Sequence, residues 1–454
     1  MSPVLRSFPH KCNAGIGHKI LFVVTGLLMW GLPSVRFAPR SVDAAFSGLD
    51  ALDLTAWLQI GTCVFAVIVV AIACGSRMGR SLKALPPALS QGASRSFLIY
   101  ALFATGSAVY SVNAGFTVYC ASKILLLFIC SALLASHYGA GPNGIAACLR
   151  LFYSVNIVQW AIIAVLFIAT PDLVGGMDPK VGYRLHGGSF GDYGRAAAFS
   201  GLFFLMVGLR SRGRKRWSAY LMYAISWIFV LLSLTRGTML CAFIMLCLAV
   251  SSHYRSHSRV IVTCAAVLIV SAILLSGGWE PVTKFAARGE NQADLESLTG
   301  RAQAFHFLIA KWEISPWFGY GFGAGNRYLL LHFREEAGLD IGAAHDALSR
   351  VLTDLGLAGV TLLALASTHL LFATLAMWRR IRHFPGLREL GVQVLCLLAY
   401  SLIFSVTSSG IAEVTAPVAI TALAATALCI SGRRRVIRLH INSPLASVLP
   451  QCAS

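Results

Sequence analysis

The sequence predicts an all-α integral membrane protein, because its composition, its apolar run lengths and its charge distribution all point to that fold class. Hydrophobic residues make up 57% of the 454 residues and charged residues only 12%, which is typical of a chain that crosses a bilayer many times. The apolar residues lie in blocks of membrane-spanning length, unlike the dispersed pattern of a soluble core. We therefore expect one polytopic membrane domain over residues 1–454.

About twelve apolar segments are candidate transmembrane helices, several of them near the lower length limit. No clear cleavage site follows the first segment, so we expect it to stay in place as a span. The predicted spans are 20–35, 55–74, 97–113, 115–136, 151–170, 196–209, 218–235, 237–252, 260–276, 351–378, 391–409 and 416–431.

The basic residues flank these spans on one side of the membrane. With a cytoplasmic N-terminus, the cytoplasmic ends hold 23 of the 37 lysines and arginines but only one of the 18 acidic residues, Glu389. This asymmetry follows the positive-inside rule and predicts that both termini are cytoplasmic. The net charge of +19 forms no single patch and accompanies no nucleic-acid motif, so we expect no nucleic-acid partner.

Residues 277–350 form the one long polar excursion and are predicted to be an extracytoplasmic loop between the ninth and tenth spans. None of the 12 cysteines lies in this loop, so a disulfide or zinc framework is not expected there. The chain has no HExxH and no CxxC motif, and Asp50 with Asp53 is the nearest approach to a carboxylate ligand pair. We expect no metal and no cofactor.

Arg236 is the first candidate site residue, because it stands alone in LLSLTRGTML at a very tight hairpin between two spans. An arginine in such a place needs a partner or water. Ser233, Thr235 and Thr238 are predicted to form a small polar rim around it. The alternative is an interfacial arginine whose guanidinium simply reaches solvent.

Arg301 is the second candidate, because it follows Thr299-Gly300 at a predicted helix start. The helix is amphipathic and is predicted to end at Pro316. Arg301 lies one turn before its apolar stripe, where free backbone N–H groups would add to an anion site; a solvated arginine is the alternative. The predicted inward-facing residues of this helix are Phe305, Leu308, Ile309 and Trp312.

Arg184 and Arg195 bracket the glycine-rich RLHGGSFGDYGR of the second outer segment, 171–195. This composition suits a loop that closes over an anion, with Arg184 the better candidate, but an ordinary solvated loop is equally compatible. GYGFGAGN at 319–326 lacks the lysine and the preceding strand of a phosphate loop. It is predicted to be a compact turn that packs Trp317, Tyr320 and Phe322 near the membrane surface.

His345 precedes the tenth span, and its imidazole could accept a proton near neutral pH. A helix N-terminus favours the neutral base, whereas the adjacent Asp346 favours the charged form. A structural histidine remains the alternative, and Asp346 could pair with Arg350 at i, i+4. A cationic, metal-free site of this kind suits a diphosphate, since arginine matches phosphate oxygens and neutralises a phosphate leaving group.

The motifs resemble the O-antigen ligase-related family, which includes O-antigen ligases and O-antigen or exopolysaccharide polymerases. The matching pieces, in family order, are YRLHGGSFGDYGRAAAF at 183–199, SLTRGTML at 233–240, LTGRAQAFHFLIAKWEISPWFGYGFG at 298–323 and AHDALSRVLTDLGLAGV at 344–360. The resemblance implies a metal-independent, inverting glycosyltransferase in the bacterial inner membrane with its site on the periplasmic side.

The resemblance also implies the substrates and the residue roles. The donor would be an oligosaccharide on undecaprenyl diphosphate, and the acceptor a glycan or a lipid A core. Arg236 and Arg301 would hold the diphosphate, Arg184 would contact sugar or phosphate, and His345 would deprotonate the acceptor, although Asp346 stands where the family usually has asparagine. Arginine-bearing outer loops favour a polymerase over a ligase.

Two rival functions remain open on the sequence. A transporter or flippase of anionic lipid-linked sugars would place charges or breaks deep in mid-span, or repeat its halves. A metal-dependent membrane glycosyltransferase would need a set of outer carboxylates.

Overall fold

The computed structural model describes residues 16–34, 54–75, 89, 91–137, 142–178, 182–185, 193–233, 235–253, 301–337, 347–407 and 411–431. Helices hold 88% of these residues, in keeping with the predicted helical fold. The longer helices are α1 (Ile16–Ser34), α2 (Leu54–Gly75), α3 (Gly92–Gly106), α4 (Ala114–His137), α5 (Pro142–Ala169), α6 (Tyr193–Arg210), α7 (Arg214–Leu232), α8 (Arg236–His253), α9 (Arg301–Trp312), α10 (Ala324–Ala337), α11 (Ala347–Ile381), α12 (Pro385–Thr407) and α13 (Ala416–Ser431).

Eleven of the predicted spans fall largely on these helices, and the twelfth, 260–276, lies outside the described residues. In the part of the chain that is described, four helices are long and apolar enough to cross a membrane. They are Ala114–His137, Pro142–Ala169, Ala347–Ile381 and Leu387–Val406. Length and composition therefore indicate a helical membrane protein, while the count of twelve spans stays a prediction.

The outer segment predicted as a loop at 171–195 contains more regular structure than expected. A single helical turn at Pro171–Val174 leads into strand β1 (Gly175–Asp178), which pairs antiparallel with strand β2 (Gly182–Leu185). Val174 and Leu185 are buried, so the hairpin is anchored to the core. The strictly all-α prediction is therefore too simple here.

The predicted span 97–113 ends earlier than its apolar run suggests. Helix α3 stops at Gly106, and a 3-10 turn at Ser107–Val109 follows. The side chain of Asn113 then accepts a hydrogen bond from the Phe116 N–H at 3.0 Å, which caps the start of α4. Asn113 therefore marks the start of a new helix within the predicted apolar run.

Helix α11 is kinked at Gly356, which has φ 62° and ψ −163°. This conformation is essentially restricted to glycine. The backbone N–H groups of Leu357 and Ala358 donate to the carbonyls of Pro316 and Trp317 at 2.9 and 3.1 Å. The chain between α9 and α10 therefore supplies acceptors for N–H groups that lose their intrahelical partners at the kink.

Helix α11 connects the two parts of the described structure. It packs against α3, α12 and α13, and also against α9 and α10. The large apolar core draws on all the long helices named above except α9 and α10, which share a small core of their own. The position of the polar segment relative to the helix bundle is therefore set largely through α11.

Candidate active site

The predicted site residues fall at different places relative to the described structure. Arg236 is the first residue of α8, Arg301 is the first described residue of α9, and Arg184 lies on β2. Only the backbone of these three arginines is described. His345 lies outside the described residues, two positions before the first described residue of α11, Ala347. The roles of all four stay predictions.

The turn between α7 and α8 packs against the first turn of α6. A β-carbon on Gly194 would lie 2.5 Å from Ser233 Oγ and 3.3 Å from Thr238 Cγ2, so a side chain there would force the segments apart. Ser233 and Thr238 are buried. These two residues of the polar rim predicted around Arg236 therefore pack against α6. Since β2 contacts α7, the segments that carry Arg184 and Arg236 are both grouped around α7.

The predicted helix at Arg301 is present, but its buried face differs from the predicted one. Phe305, expected to face inward, is 41% exposed, whereas Ala304 and Leu308 are 5% and 2% exposed. The reason is that α10 supplies the partner surface, and its side chains meet positions 304 and 308. Arg301 keeps the spacing of that stripe, three and seven residues before these positions. The small core consists of Ala304, Leu308, Leu329, Leu330 and Phe333.

The glycine-rich segment 319–326 is a compact turn, as predicted, and its backbone is tied to α11. The N–H groups of Tyr320 and Gly321 donate to the carbonyls of Thr353 and Asp354 at 3.0 and 2.8 Å. Gly321 has φ 102°, a left-handed conformation that favours glycine. The glycines therefore serve close backbone packing, and the segment is no phosphate loop.

The aromatic residues around this turn divide into two groups. Phe322 is 2% exposed and packs edge-on against Tyr100 at 6.5 Å between ring centroids. Trp317 and Phe318 are 65% and 54% exposed. Tyr320 is half-buried, and burial raises the pKa of its phenol, so it remains a hydrogen-bond donor. Exposure thus separates Trp317 from Phe322, while the position of the turn near the membrane surface stays a prediction.

Asp354 holds the start of α10, although no sequence motif singled it out. Its side chain is fully buried, and its carboxylate accepts hydrogen bonds from the Gly323 and Asn326 N–H groups at 2.8 and 2.7 Å. A carboxylate at a helix N-terminus satisfies unpaired N–H groups and complements the helix dipole. Asp354 is thus an N-cap supplied by another helix. Its one sequence signal is an acid within an otherwise apolar helix.

Arg350 joins this carboxylate to a distant turn. Its guanidinium forms an ion pair with Glu413, in the turn between α12 and α13, and its Nε lies 3.7 Å from Asp354 Oδ2. The predicted pairing of Arg350 with Asp346 concerns a residue outside the described part, and the described partners are Glu413 and Asp354. The three side chains fasten the start of α11, and with it the segment that follows His345.

The side chains that could bind a metal ion are not clustered in the described part of the chain. Among those residues, no group of three or more histidine, cysteine or acidic side chains is placed to hold a metal ion. The carboxylates of Asp354 and Glu413 are engaged by Arg350.

The comparison with protein families identifies the central part of the chain. Residues 221–364 match the family model described as O-antigen ligase. This segment is therefore similar to the O-antigen ligase-related family. No curated protein matches the chain.

The O-antigen ligase segment runs from within α7 to beyond the kink of α11. It contains Arg236, Arg301, His345 and Asp354, while Arg184 lies outside it. The family supports a ligase or polymerase type of function in polysaccharide biosynthesis, acting on lipid-linked glycan and acceptor polysaccharide within a membrane. Together with helices of spanning length, it indicates a bacterial membrane protein.

Proposed function

We propose that this protein is a periplasmic-face, metal-independent, inverting glycosyltransferase that moves a glycan from undecaprenyl diphosphate to a hydroxyl of an acceptor sugar. The observation that carries the proposal is the O-antigen ligase match over 221–364, which contains three of the four predicted site residues. The activity builds surface polysaccharide, and we favour polymerase over ligase. The donor linkage supplies the free energy, so the reaction needs no nucleotide.

Arg236 and Arg301 are proposed to bind the donor diphosphate. Arg236 opens α8, where backbone N–H groups without intrahelical partners add to its positive charge. A guanidinium matches phosphate oxygens in two parallel hydrogen bonds. As the bond between the anomeric carbon and the diphosphate oxygen breaks, the two arginines would neutralise the charge that develops on the leaving group. Arg184, on a hairpin that contacts α7, would add a contact to sugar or phosphate.

His345 is proposed to act as the general base. Its imidazole would take the proton of the acceptor hydroxyl while the hydroxyl oxygen attacks the anomeric carbon from the face opposite the diphosphate, which inverts the configuration. The Arg350 network supports this role, because it fastens the helix that begins close after His345. A base positioned by a rigid helix needs little rearrangement to reach the reacting hydroxyl.

The proposal is tested with purified protein, a lipid-linked oligosaccharide donor and an acceptor, with and without EDTA. Arg236→Ala, Arg301→Ala and His345→Ala should each lower glycan transfer by roughly 10²-fold or more, the usual effect of losing a general base or a transition-state donor. EDTA should leave the rate unchanged. Arg214→Ala is the matched control, because Arg214 also opens a helix but is exposed at the opposite end of α7 from the α7–α8 turn.

Each result has a contrary outcome. Full activity of His345→Ala would remove the assigned base, and loss of activity in EDTA would favour a metal-dependent enzyme. Movement of intact donor across vesicles without any transfer would favour a flippase.

The polysaccharide chains made by a deletion strain distinguish a polymerase from a ligase. In a deletion strain, loss of long chains with single units retained on the surface lipid indicates a polymerase. Accumulation of full-length chains on the carrier indicates a ligase.

A further inference from the structure

Lys123 lies well inside α4, which is one of the helices that can span the membrane. It comes nine residues after the first residue of α4, which corresponds to about 14 Å along the helix axis. A charged side chain at such depth is costly and usually lies on a ligand path or beside a partner. Because the predicted topology puts this part of α4 in the outer half of the membrane, Lys123 also runs against the positive-inside trend.

The contacts of Lys123 form a stripe of cations and aromatic rings. Its Nζ lies 4.4 Å from the centroid of the Tyr119 ring, and the Tyr119 ring lies 6.1 Å from that of Phe116. The guanidinium carbon of Arg327, on α10, lies 4.7 Å from the Phe116 centroid. Positions 116, 119 and 123 share one face of α4. We call Phe116, Tyr119, Lys123 and Arg327 the cationic stripe.

The stripe is half-buried, and Lys123 has no carboxylate partner among the described residues. All four side chains of the stripe have intermediate exposure, so a ligand could reach them. Among the described residues, no carboxylate forms an ion pair with Lys123, while Glu413 and Asp354 engage Arg350. The Tyr119 ring holds Lys123 in place through its π face but does not neutralise its charge.

We propose that the cationic stripe binds the phosphate headgroup of an anionic lipid. Arginine offers a fork of donors to phosphate oxygens, and lysine offers a compact positive charge. The depth of Lys123 in an apolar helix favours a lipid over a soluble anion, because a headgroup held there keeps its hydrocarbon chains within the apolar span. The ligand class is thus a lipid phosphate or diphosphate.

The stripe is distinct from the proposed diphosphate clamp at Arg236 and Arg301, although the two are linked through the fold. Helix α10, which carries Arg327, packs against α4 on one side and against α9 on another. A lipid headgroup held by the stripe would therefore lie on a route towards the helix that carries Arg301. The binding itself does not rest on glycan transfer.

The test is binding of anionic lipids to the purified full-length protein, measured by native mass spectrometry with polyprenyl phosphate, phosphatidylglycerol and phosphatidylcholine. The wild type should bind the first two in preference to the zwitterionic lipid. Lys123→Gln should weaken anionic-lipid binding about tenfold, as expected when a charge-assisted phosphate contact is lost, and Lys123→Arg should retain most of it. Arg327→Gln tests the same stripe from α10 if the α4 variant folds poorly.

Lys311→Gln is the matched control, because Lys311 also lies over an aromatic ring, at 5.1 Å from the Phe307 centroid, but on α9. It should bind lipid like the wild type. Wild-type binding in both Lys123→Gln and Arg327→Gln would overturn the proposal. Binding of inorganic pyrophosphate as tight as that of the lipids would replace the lipid by a soluble phosphate. Arg236→Ala removes the proposed clamp and leaves the stripe, so a further loss of phosphatidylglycerol binding by about tenfold when Lys123→Gln is added to Arg236→Ala separates the two proposals.

Discussion

Replacing Asp354 by asparagine should release the start of α10 from α11. The carboxylate is fully buried and accepts two backbone hydrogen bonds, at 2.8 Å from Gly323 and 2.7 Å from Asn326. An asparagine side chain has one acceptor oxygen, so it can keep at most one of them. The loss of one charge-assisted hydrogen bond costs about 1.5–3 kcal/mol. The reduced attraction of Arg350, whose Nε is 3.7 Å away, adds to this cost.

Hydrogen exchange measures that loss at the place where it occurs. A loss of about 2 kcal/mol raises the population of the opened segment roughly 30-fold. Exchange of the amides of Gly323 and Asn326, followed by mass spectrometry on peptides that cover 319–330, should accelerate by about this factor. Glycan transfer should fall as well, because the same network fastens the helix that follows His345.

The matched control is Asp172→Asn, because Asp172 is an exposed acid in the first turn of a short helix. Its exchange in 319–330 should equal that of the wild type. Unchanged protection of Gly323 and Asn326 in Asp354→Asn would show that the carboxylate does not hold α10, and the reasoning about the network would be wrong.

Two further predictions concern the same region. Gly356→Ala should lower the unfolding temperature in detergent by several degrees, because a β-carbon there would lie 2.4 Å from the carbonyl carbon of Trp317 and the backbone conformation costs about 1–3 kcal/mol in other residues. Gly106→Ala is the control and should leave the unfolding temperature unchanged, because a β-carbon there would meet no atom within 4 Å. Equal shifts of the two unfolding temperatures would contradict the packing argument. Trp317 is exposed beside Phe318 and should lie in the membrane interface. Trp317→Phe should therefore remove more of the tryptophan fluorescence that brominated lipids quench than Trp160→Phe, the buried control. Equal losses of quenchable fluorescence in the two variants would contradict an interfacial Trp317.

The sequence predicted the helices well because each one is encoded locally, by an apolar run of sufficient length. It did not predict the β-hairpin of 175–185. Its strands, Gly175–Asp178 and Gly182–Leu185, are four residues each and glycine-containing, so they lack the alternation that marks a strand. The hairpin is held by burial of Leu185, which depends on neighbours elsewhere in the chain.

The candidate site divides in the same way. The helix starts at Arg236 and Arg301 and the compact turn after α9 follow from local signals. The contact of Arg350 with Glu413 joins residues 63 positions apart, and no local pattern encodes it. The buried face of α9 was mispredicted for the same reason. The apolar spacing predicted that Phe305 faces inward, but the position of α10 determines that Ala304 and Leu308 are buried instead.

The buried charges around α11 serve geometry more than stability. Replacing a buried ion pair by apolar residues of similar size is often neutral or stabilising, so such a pair is weak grounds for stability. Here the charges lie where two structural parts meet. Asp354 fastens α10, and Arg350 fastens the turn between α12 and α13 through Glu413. Both residues lie in the short part of α11 that precedes the kink. An apolar contact could slide along that helix, whereas directed hydrogen bonds specify one register. A base placed just before this helix needs that register, because general-base catalysis tolerates little displacement from the proton it removes.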